Sequence, residues 1–434
     1  MAAPRVPADD GAPATGALDD PRRALLLDLY RAALSAVDGR RRVRAALNAG
    51  RDARPAHVLA VGKAAPAMMQ GALDALGQRL ARGLVIAPDG CAGAELRRCP
   101  RVACLTGGHP LPDERSLAAG QAMRNFAEAT PPGSRVLLLV SGGASALVEI
   151  PRPGVTLANL RRLNEWALSS AVDIVSLNAM RSALSLIKAG RLPGLFRSAD
   201  IEGLMISDVP RDDPAIVGSG LLAAPRTPSS TAGWPDWLRG LAAGIAPAGD
   251  AIVPCRVTLV GNLDDALDAV ERAARSRGLV VWRATERLAG DAEAAARSVC
   301  HELALGGADL RLWGGETVVR LPAGAGRGGR CQHFALVAAQ HIRNHAELVV
   351  LAASTDGRDG ASDDAGAIID GGTLARAEDA GYDAERSLAA ADSGSLLEAA
   401  GDLIHSGPTG TNVGDLVMAL RRAPDRDRQG TMKL

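Results

Sequence analysis

At 434 residues the chain is too long for one ordinary core. Its 47% apolar side chains, with only five Trp, two Tyr and three Phe among them, suffice for two or three domains. Lys plus Arg and Asp plus Glu balance at 49 each, which excludes the basic field that holds a nucleic-acid backbone. No run reaches the roughly 18 to 20 apolar residues of a membrane helix. The six cysteines form neither a C-x-x-C pair nor a zinc spacing, so reduced thiols and a cytoplasmic location are expected.

Residues 1–19 lack an apolar h-region and read as a disordered leader rather than a signal peptide. Asp19, Asp20 and Pro21 then start a helix. "HVLAVGKAAPAMMQGALDAL" reads as strand, Gly-Lys turn and helix, with further strands at 83–88 and 101–105. "GGHPLPDERS" is a turn entering a helix near Asp113. The run Leu137 to Val140 is a buried strand that breaks into "SGGAS", and helices follow over "LANLRRLNEWALSSAV" and "LNAMRSALSLIKAG". "GLMISDVPRDD" is a strand ending in an acidic loop. This alternation predicts a parallel sheet covered on both faces. The Pro-, Gly- and Ser-rich stretch 223–252 is the expected boundary, giving domains over 20–240 and 250–425. Beyond it, "CRVTLVGNLDDALDAVERAARSRG" is strand, turn and helix. "LRLWGGETVVRLP" reads as two short strands around Gly-Gly. "RCQHFALVAAQHI" is a helix, "ELVVLAAST" a strand, and "DGRDGASDDAG" an acidic glycine loop.

Small-residue turns at strand exits suit ligands, because backbone N–H groups there can approach a phosphate. Those turns carry Lys63, Ser141 and Ser145, Asp208 with Asp212 and Asp213, Asn262, Glu316, Arg330, and Asp356 with Asp359. Together they are the parts that position a nucleotide and its metal in phosphoryl transfer. Among 49 basic residues only Lys63, Lys188 and Lys433 are lysine. A lysine kept in an arginine-dominated chain suggests a compact, rotatable charge that arginine cannot replace. "GAGRGG" at 324–329 fits G-x-G-x-x-G, with Glu347 near the place of a ribose-binding acid, so a dehydrogenase is considered. Arg320 and Pro322 in the preceding segment, and Arg327 and Arg330 flanking the loop, fit an anion-binding loop better. His341 and His345 lack the glutamate of a zinc protease, and "GGASA" is not a hydrolase elbow.

"VGKAA", "GGHPLPDERS", "LLLVSGGASALVEIP", "LNAMRSALSLIKAGRL", "ISDVPRDDPAIVGSG", "GGETVV", "GRGGRCQHFALVAA", "STDGRDGASDDAGAIID" and "SGPTGTNVGDL" occur in this order. The chain thereby resembles the class II glycerate kinases, the glycerate 2-kinase family with DUF4147 and MOFRL domains, from about residue 20 to about residue 422. The resemblance implies an α/β protein with a Rossmann-like N-terminal domain, a second α/β domain and an active site in the cleft between them. It implies ATP, Mg²⁺ and D-glycerate phosphorylated at its 2-hydroxyl. Lys63 and Arg330 fall on the family's candidate catalytic positions. Asp208 joins them, to hold the metal or to orient the hydroxyl. Gly62, Ser141, Gly142, Gly143, Ser145 and Asn262 are the nucleotide-binding candidates. Lys188, Arg211, Glu316 and Asp356 are those for substrate. The metal ligands stay open, with Asp208 and Asp213 as candidates. A small hydroxy acid is the expected partner, nucleic acid and membrane are not, and a homodimer is admitted. The pattern departs from the family at Ala144, Ala189 and Arg211, where it has Gly, and at Cys331 and His333. These departures keep two alternatives: a paralogue acting on another hydroxy acid, and a silent ligand-binding protein. A hydroxypyruvate reductase ranks last.

Overall fold

The computed structural model describes residues 20–421 apart from 51, 171, 198, 226–230, 232, 245–251, 254 and 304–305. The expected leader and Lys433 lie outside the described residues. The chain forms two compact units. The first takes residues 33–269 with 408–414; the second takes residues up to 32 with 270–407 and those from 415 on.

In the first unit six strands form one parallel sheet: β1 (Ala56–Val61), β2 (Leu80–Ala87), β3 (Val102–Thr106), β4 (Arg135–Val140), β5 (Asp200–Ile206) and β6 (Arg256–Gly261). Their spatial order is β3-β2-β1-β4-β5-β6. This is the doubly wound order, and its direction reverses between β1 and β4, where a crevice opens beyond the carboxyl ends of the strands. All six residues of β4 are buried, as the branched run Leu137 to Val140 predicts. Leu59, Val61, Leu138, Val140, Met205 and Phe126 belong to one core beneath that crevice. Asp113 caps the helix Glu114–Glu128 by accepting from Arg115 N and Ser116 N.

The helix expected over 177–190 runs instead from Ile174 to Ala183. After Ala183 the chain turns inward and buries Lys188, whose side chain is 1% exposed and pairs with Glu149. Ser185 Oγ and Ile150 N donate to the same carboxylate at 2.5 and 3.0 Å. Burial pulls the Lys188 pKa below its ordinary value, opposed by Glu149. The substrate-binding role expected for Lys188 is therefore corrected: its ammonium is consumed in a buried pair.

In the second unit β7 (Val281–Arg283), β8 (Leu288–Asp291), β9 (Leu310–Val318), β10 (Leu348–Ser354), β11 (Gly366–Asp370), β12 (Leu403–Ile404) and β13 (Asp415–Arg421) make a seven-stranded sheet. Only β7 and β8 run parallel to their neighbour β9; the remaining pairs are antiparallel, which the alternating pattern did not predict. "LRLWGGETV" is one strand rather than two. Its Gly315 is needed for close approach, since a Cβ there would lie 2.0 Å from the Leu288 carbonyl.

The boundary expected at 240–250 also differs from the division into units. Strand β6 pairs with β5, so β6 and the helix Asp236–Ala243 that precedes it both belong to the first unit. Residues 21–32 belong to the second unit because Arg23 pairs with Asp370 and with Asp402, and Tyr30 donates to the Ser354 carbonyl at 2.5 Å. Among the described residues no helix is long and apolar enough to cross a membrane.

Ala189 and Arg211, two of the positions where the resembled pattern carries glycine, adopt φ of 53° and 63°. A side chain in that left-handed region costs on the order of 1 kcal/mol or more. Ala189→Gly and Arg211→Gly are each expected to raise stability by about 1 kcal/mol in denaturant titrations, less the extra entropy of an unfolded glycine. A loss of stability in both would contradict this account. Lys188→Met leaves the Glu149 carboxyl buried without its cation, and a loss of about 3–5 kcal/mol is expected by the same titration.

Candidate active site

Two turns meet at the reversal of the first sheet. After β1 the chain passes through Gly62 at φ 125°, where a Cβ would lie 2.2 Å from Ser141 Oγ. After β4 it passes through Ser141, Gly142 and Gly143. Ser141 N donates to the Val61 carbonyl at 3.0 Å, Lys63 N to the Gly142 carbonyl at 2.9 Å, and Ala64 N to Ser141 Oγ at 3.0 Å. The Ser141 hydroxyl is thus a clasp between the turns and is fully buried.

The N–H groups of the β4 turn are placed differently. Among the described residues, those of Gly142, Gly143, Ala144 and Ser145 donate to no protein acceptor. Four consecutive donors at a Gly-rich turn form a cradle for an anion. A Cβ on Gly142 would lie 1.6 Å from Asp208 Oδ2, so only glycine lets that carboxylate reach the cradle. Asn412 Nδ2 donates to the same oxygen at 2.8 Å. A Cβ on Gly143 would lie 3.1 Å from Lys63 Cγ, which places the half-buried lysine stem along the turn. The structure therefore brings Gly62, Lys63, Ser141, Gly142, Gly143, Ser145 and Asp208 together. It adds Asn412, which the residue-by-residue reading missed although it lies in the quoted "GTN".

Other candidates are accounted for locally. Ser219 Oγ donates to Asn178 Oδ1 at 2.8 Å, so the 2.7 Å contact between Ser145 and Ser219 has Ser145 as donor. Asn262 accepts from Asp265 N at 2.9 Å and donates to Asp212 Oδ2 at 2.6 Å, so both ends of its amide are engaged. Asp213 accepts from Ala215 N within its own turn, and Arg211 stands exposed.

In the second unit Arg330 opens the helix Arg330–His341. Its Nε and one terminal nitrogen meet the two oxygens of Asp415 at 2.6 and 2.8 Å, and Glu316 lies 3.1 Å away. Burial opposes its charge, but the neighbouring acids, Asp415 first and Glu316 after it, together raise the Arg330 pKa above its ordinary value. The bidentate pair on one edge fixes the guanidinium plane. Asp415 lies in "NVGDL", and no local pattern there marks it as the partner of Arg330.

Asp359 is fully buried and accepts from Cys331 N at 3.0 Å and Gln332 N at 2.7 Å. It holds the start of the same helix, and burial pushes its pKa up to about 7 against those two bonds. Asp356 accepts from Ser354 Oγ and Arg358 N, each at 2.9 Å. Cys331 is buried and His333 lies between Glu293 and Ser393, both at 3.3 Å.

The G-x-G-x-x-G loop is not a dinucleotide turn. Arg327 pairs with Asp364 and with Glu398, Gly326 N donates to the Ala390 carbonyl, and Glu347 meets His345. The doubly wound sheet that would use such a loop is in the other unit. Among the described residues, no three His, Cys, Asp or Glu side chains gather as a metal site.

Residues 25–233 match a domain family of unknown function, DUF4147, and residues 310–415 match the MOFRL family. A D-glycerate 2-kinase of Thermotoga maritima is 31% identical over 84% of this chain and 90% of its own length. A protein of Agrobacterium vitis with the provisional name hydroxypyruvate reductase is 35% identical over 73% of this chain and 76% of its own. The crystal structure of a Thermotoga maritima glycerate kinase superposes with a TM-score of 0.78 at 28% identity, covering 93% of this chain and all of that one. These likenesses agree with the two-sheet α/β fold, and the chain belongs to the glycerate 2-kinase family.

Proposed function

We propose that this protein transfers the γ-phosphoryl group of ATP to the 2-hydroxyl of D-glycerate. The observation that carries the reading is the meeting of Lys63, four open backbone N–H donors and the Asp208 carboxylate at the switch between β1 and β4. A polyphosphate fits that cradle because each N–H needs an acceptor the protein does not supply. Mg²⁺ commonly takes one or two carboxylates and completes its shell with phosphate oxygens and water. Asp208 is the residue that would hold it, since Asp213 is turned into its own loop.

When bound, ATP and its metal supply the phosphoryl group and neutralise part of its charge. The N–H groups of the β4 turn hold non-bridging oxygens without any rearrangement. The Lys63 ammonium neutralises charge on the transferring phosphoryl group as its bond to the leaving oxygen breaks and the bond from the substrate hydroxyl forms. Arg330, fixed by Asp415, is the second cation we assign to the reaction. Six free cysteines support a reducing compartment. A reductase reading finds no support at the β1 turn, where Val61-Gly62-Lys63-Ala64-Ala65 replaces a dinucleotide fingerprint.

The direct test supplies purified protein with ATP, Mg²⁺ and D-glycerate, and follows formation of 2-phosphoglycerate through enolase. No turnover of glycerate, or oxidation of NADH or NADPH with hydroxypyruvate, would overturn the assignment. Lys63→Met should lower kcat by about 10²–10³-fold with an unchanged circular dichroism spectrum. Lys63→Arg should also fail, because the fork-shaped guanidinium does not fit a stem packed on Gly143. In hydrogen exchange, the amides of residues 142–145 should exchange fast without ligand and slow when ATP and Mg²⁺ are added. Slowing confined to residues 324–329 would move the nucleotide elsewhere.

A further inference from the structure

The loop after β3 carries a residue that the kinase reading leaves unused. Gly107 lies directly on the end of the short helix Ala144–Leu147: a Cβ there would be 1.9 Å from the Leu147 carbonyl. Gly107 N also donates to the Ala87 carbonyl at 3.2 Å, and Gly108 N to Ser116 Oγ at 3.0 Å. Asp113 fixes the far end of the loop as the cap of Glu114–Glu128. Gly107 thus presses the loop onto the helix that begins at the cradle, Gly108 packs against Leu111 and Asp113 of the loop itself, and His109 follows them.

The His109 ring presents its Cδ2–Nε2 edge to Gly143. Both atoms lie 3.4 Å from the position a Gly143 Cβ would take, and Lys63 Cγ lies 3.1 Å from the same point. The missing side chain of Gly143 therefore leaves a slot with lysine on one wall and imidazole on the other. The slot's floor is Gly143, one of the four open N–H donors. His109 is exposed, so its ring lies at the surface rather than in the core.

We propose that His109 is a further catalytic residue, whose Nε2–H donates to a non-bridging oxygen of the terminal phosphoryl group of ATP. The argument rests on the reading that the β4 turn holds phosphates. Lys63 is the group assigned to the transferring phosphoryl, and His109 lines the same slot, so both address the same phosphate. An imidazole donor there binds a triphosphate in preference to a diphosphate. It also contributes to the transition state, where negative charge on those oxygens is redistributed.

The test measures dissociation constants of ATP and ADP, each with Mg²⁺, by calorimetry on the full chain. His109→Leu should weaken ATP about tenfold while ADP changes less than about twofold, in keeping with loss of one charge-assisted hydrogen bond. His109→Gln keeps an N–H close to the position of Nε2 and should recover most of the ATP affinity. Equal weakening of both nucleotides, or no weakening of either, overturns the proposal, as does a glutamine variant no better than leucine. A wild-type protein that binds neither nucleotide brings down the kinase reading itself. Retained nucleotide binding with no ATP-specific effect brings down only the role of His109.

Discussion

The close approach of the two chain segments that leave β1 and β4 governs the first unit. At that point the sheet reverses direction, so the next elements run to opposite faces and the backbone itself becomes the lining of the crevice. The approach is feasible only without side chains. Gly62 would place its Cβ in Ser141, and Gly142 would place its Cβ in Asp208. Three hydrogen bonds close the gap from one turn to the other, and they use N–H groups of the β1 turn and of Ser141 itself. The donors beyond Ser141 are left over by this clasp. What makes the site anion-hungry is thus the same packing that makes it rigid.

The second unit solves a related problem with charge. A guanidinium as buried as that of Arg330 is costly unless its geometry is fully met. Asp415 meets it with two short, parallel contacts, and Glu316 adds a third. Asp359 then fixes the helix start that carries Arg330, through its bonds to Cys331 N and Gln332 N. One acid orients the side chain and another orients its backbone. Of the two, the sequence reading had offered Asp359 for chemistry and had passed over Asp415.

Strand-turn-helix units were legible wherever a branched apolar run ended in small residues, as at Val61-Gly62 and Val140-Ser141. That is a local signal, because both the burial of the strand and the freedom of the turn are written in adjacent residues. Partnerships across the chain were not legible. Asn412 reaches Asp208 across 204 residues of sequence, and Asp415 reaches Arg330 across 85. The division into units was hidden for a similar reason. A Pro- and Gly-rich stretch has the composition of a linker, yet β6 beyond it pairs with β5 of the same sheet. Antiparallel pairing in the second sheet was equally hidden, since strand and helix alternate along the chain there too.

The two described lysines show how far a compositional argument carries. Both persist in a chain that otherwise uses arginine, and the inference that arginine would not serve applies to each. The reasons differ. Lys188 is enclosed beside Glu149, where a compact ammonium can be surrounded and a five-donor fork would leave N–H groups without acceptors. Lys63 lies at a strand exit with its stem along Gly143 of the β4 turn. The N–H groups of that turn beyond Ser141, which donate to no acceptor among the described residues, make it a place for a negative charge from outside the protein. Rarity of a residue type marks a geometric demand, and the partners the fold has already supplied decide whether that demand is structural or chemical.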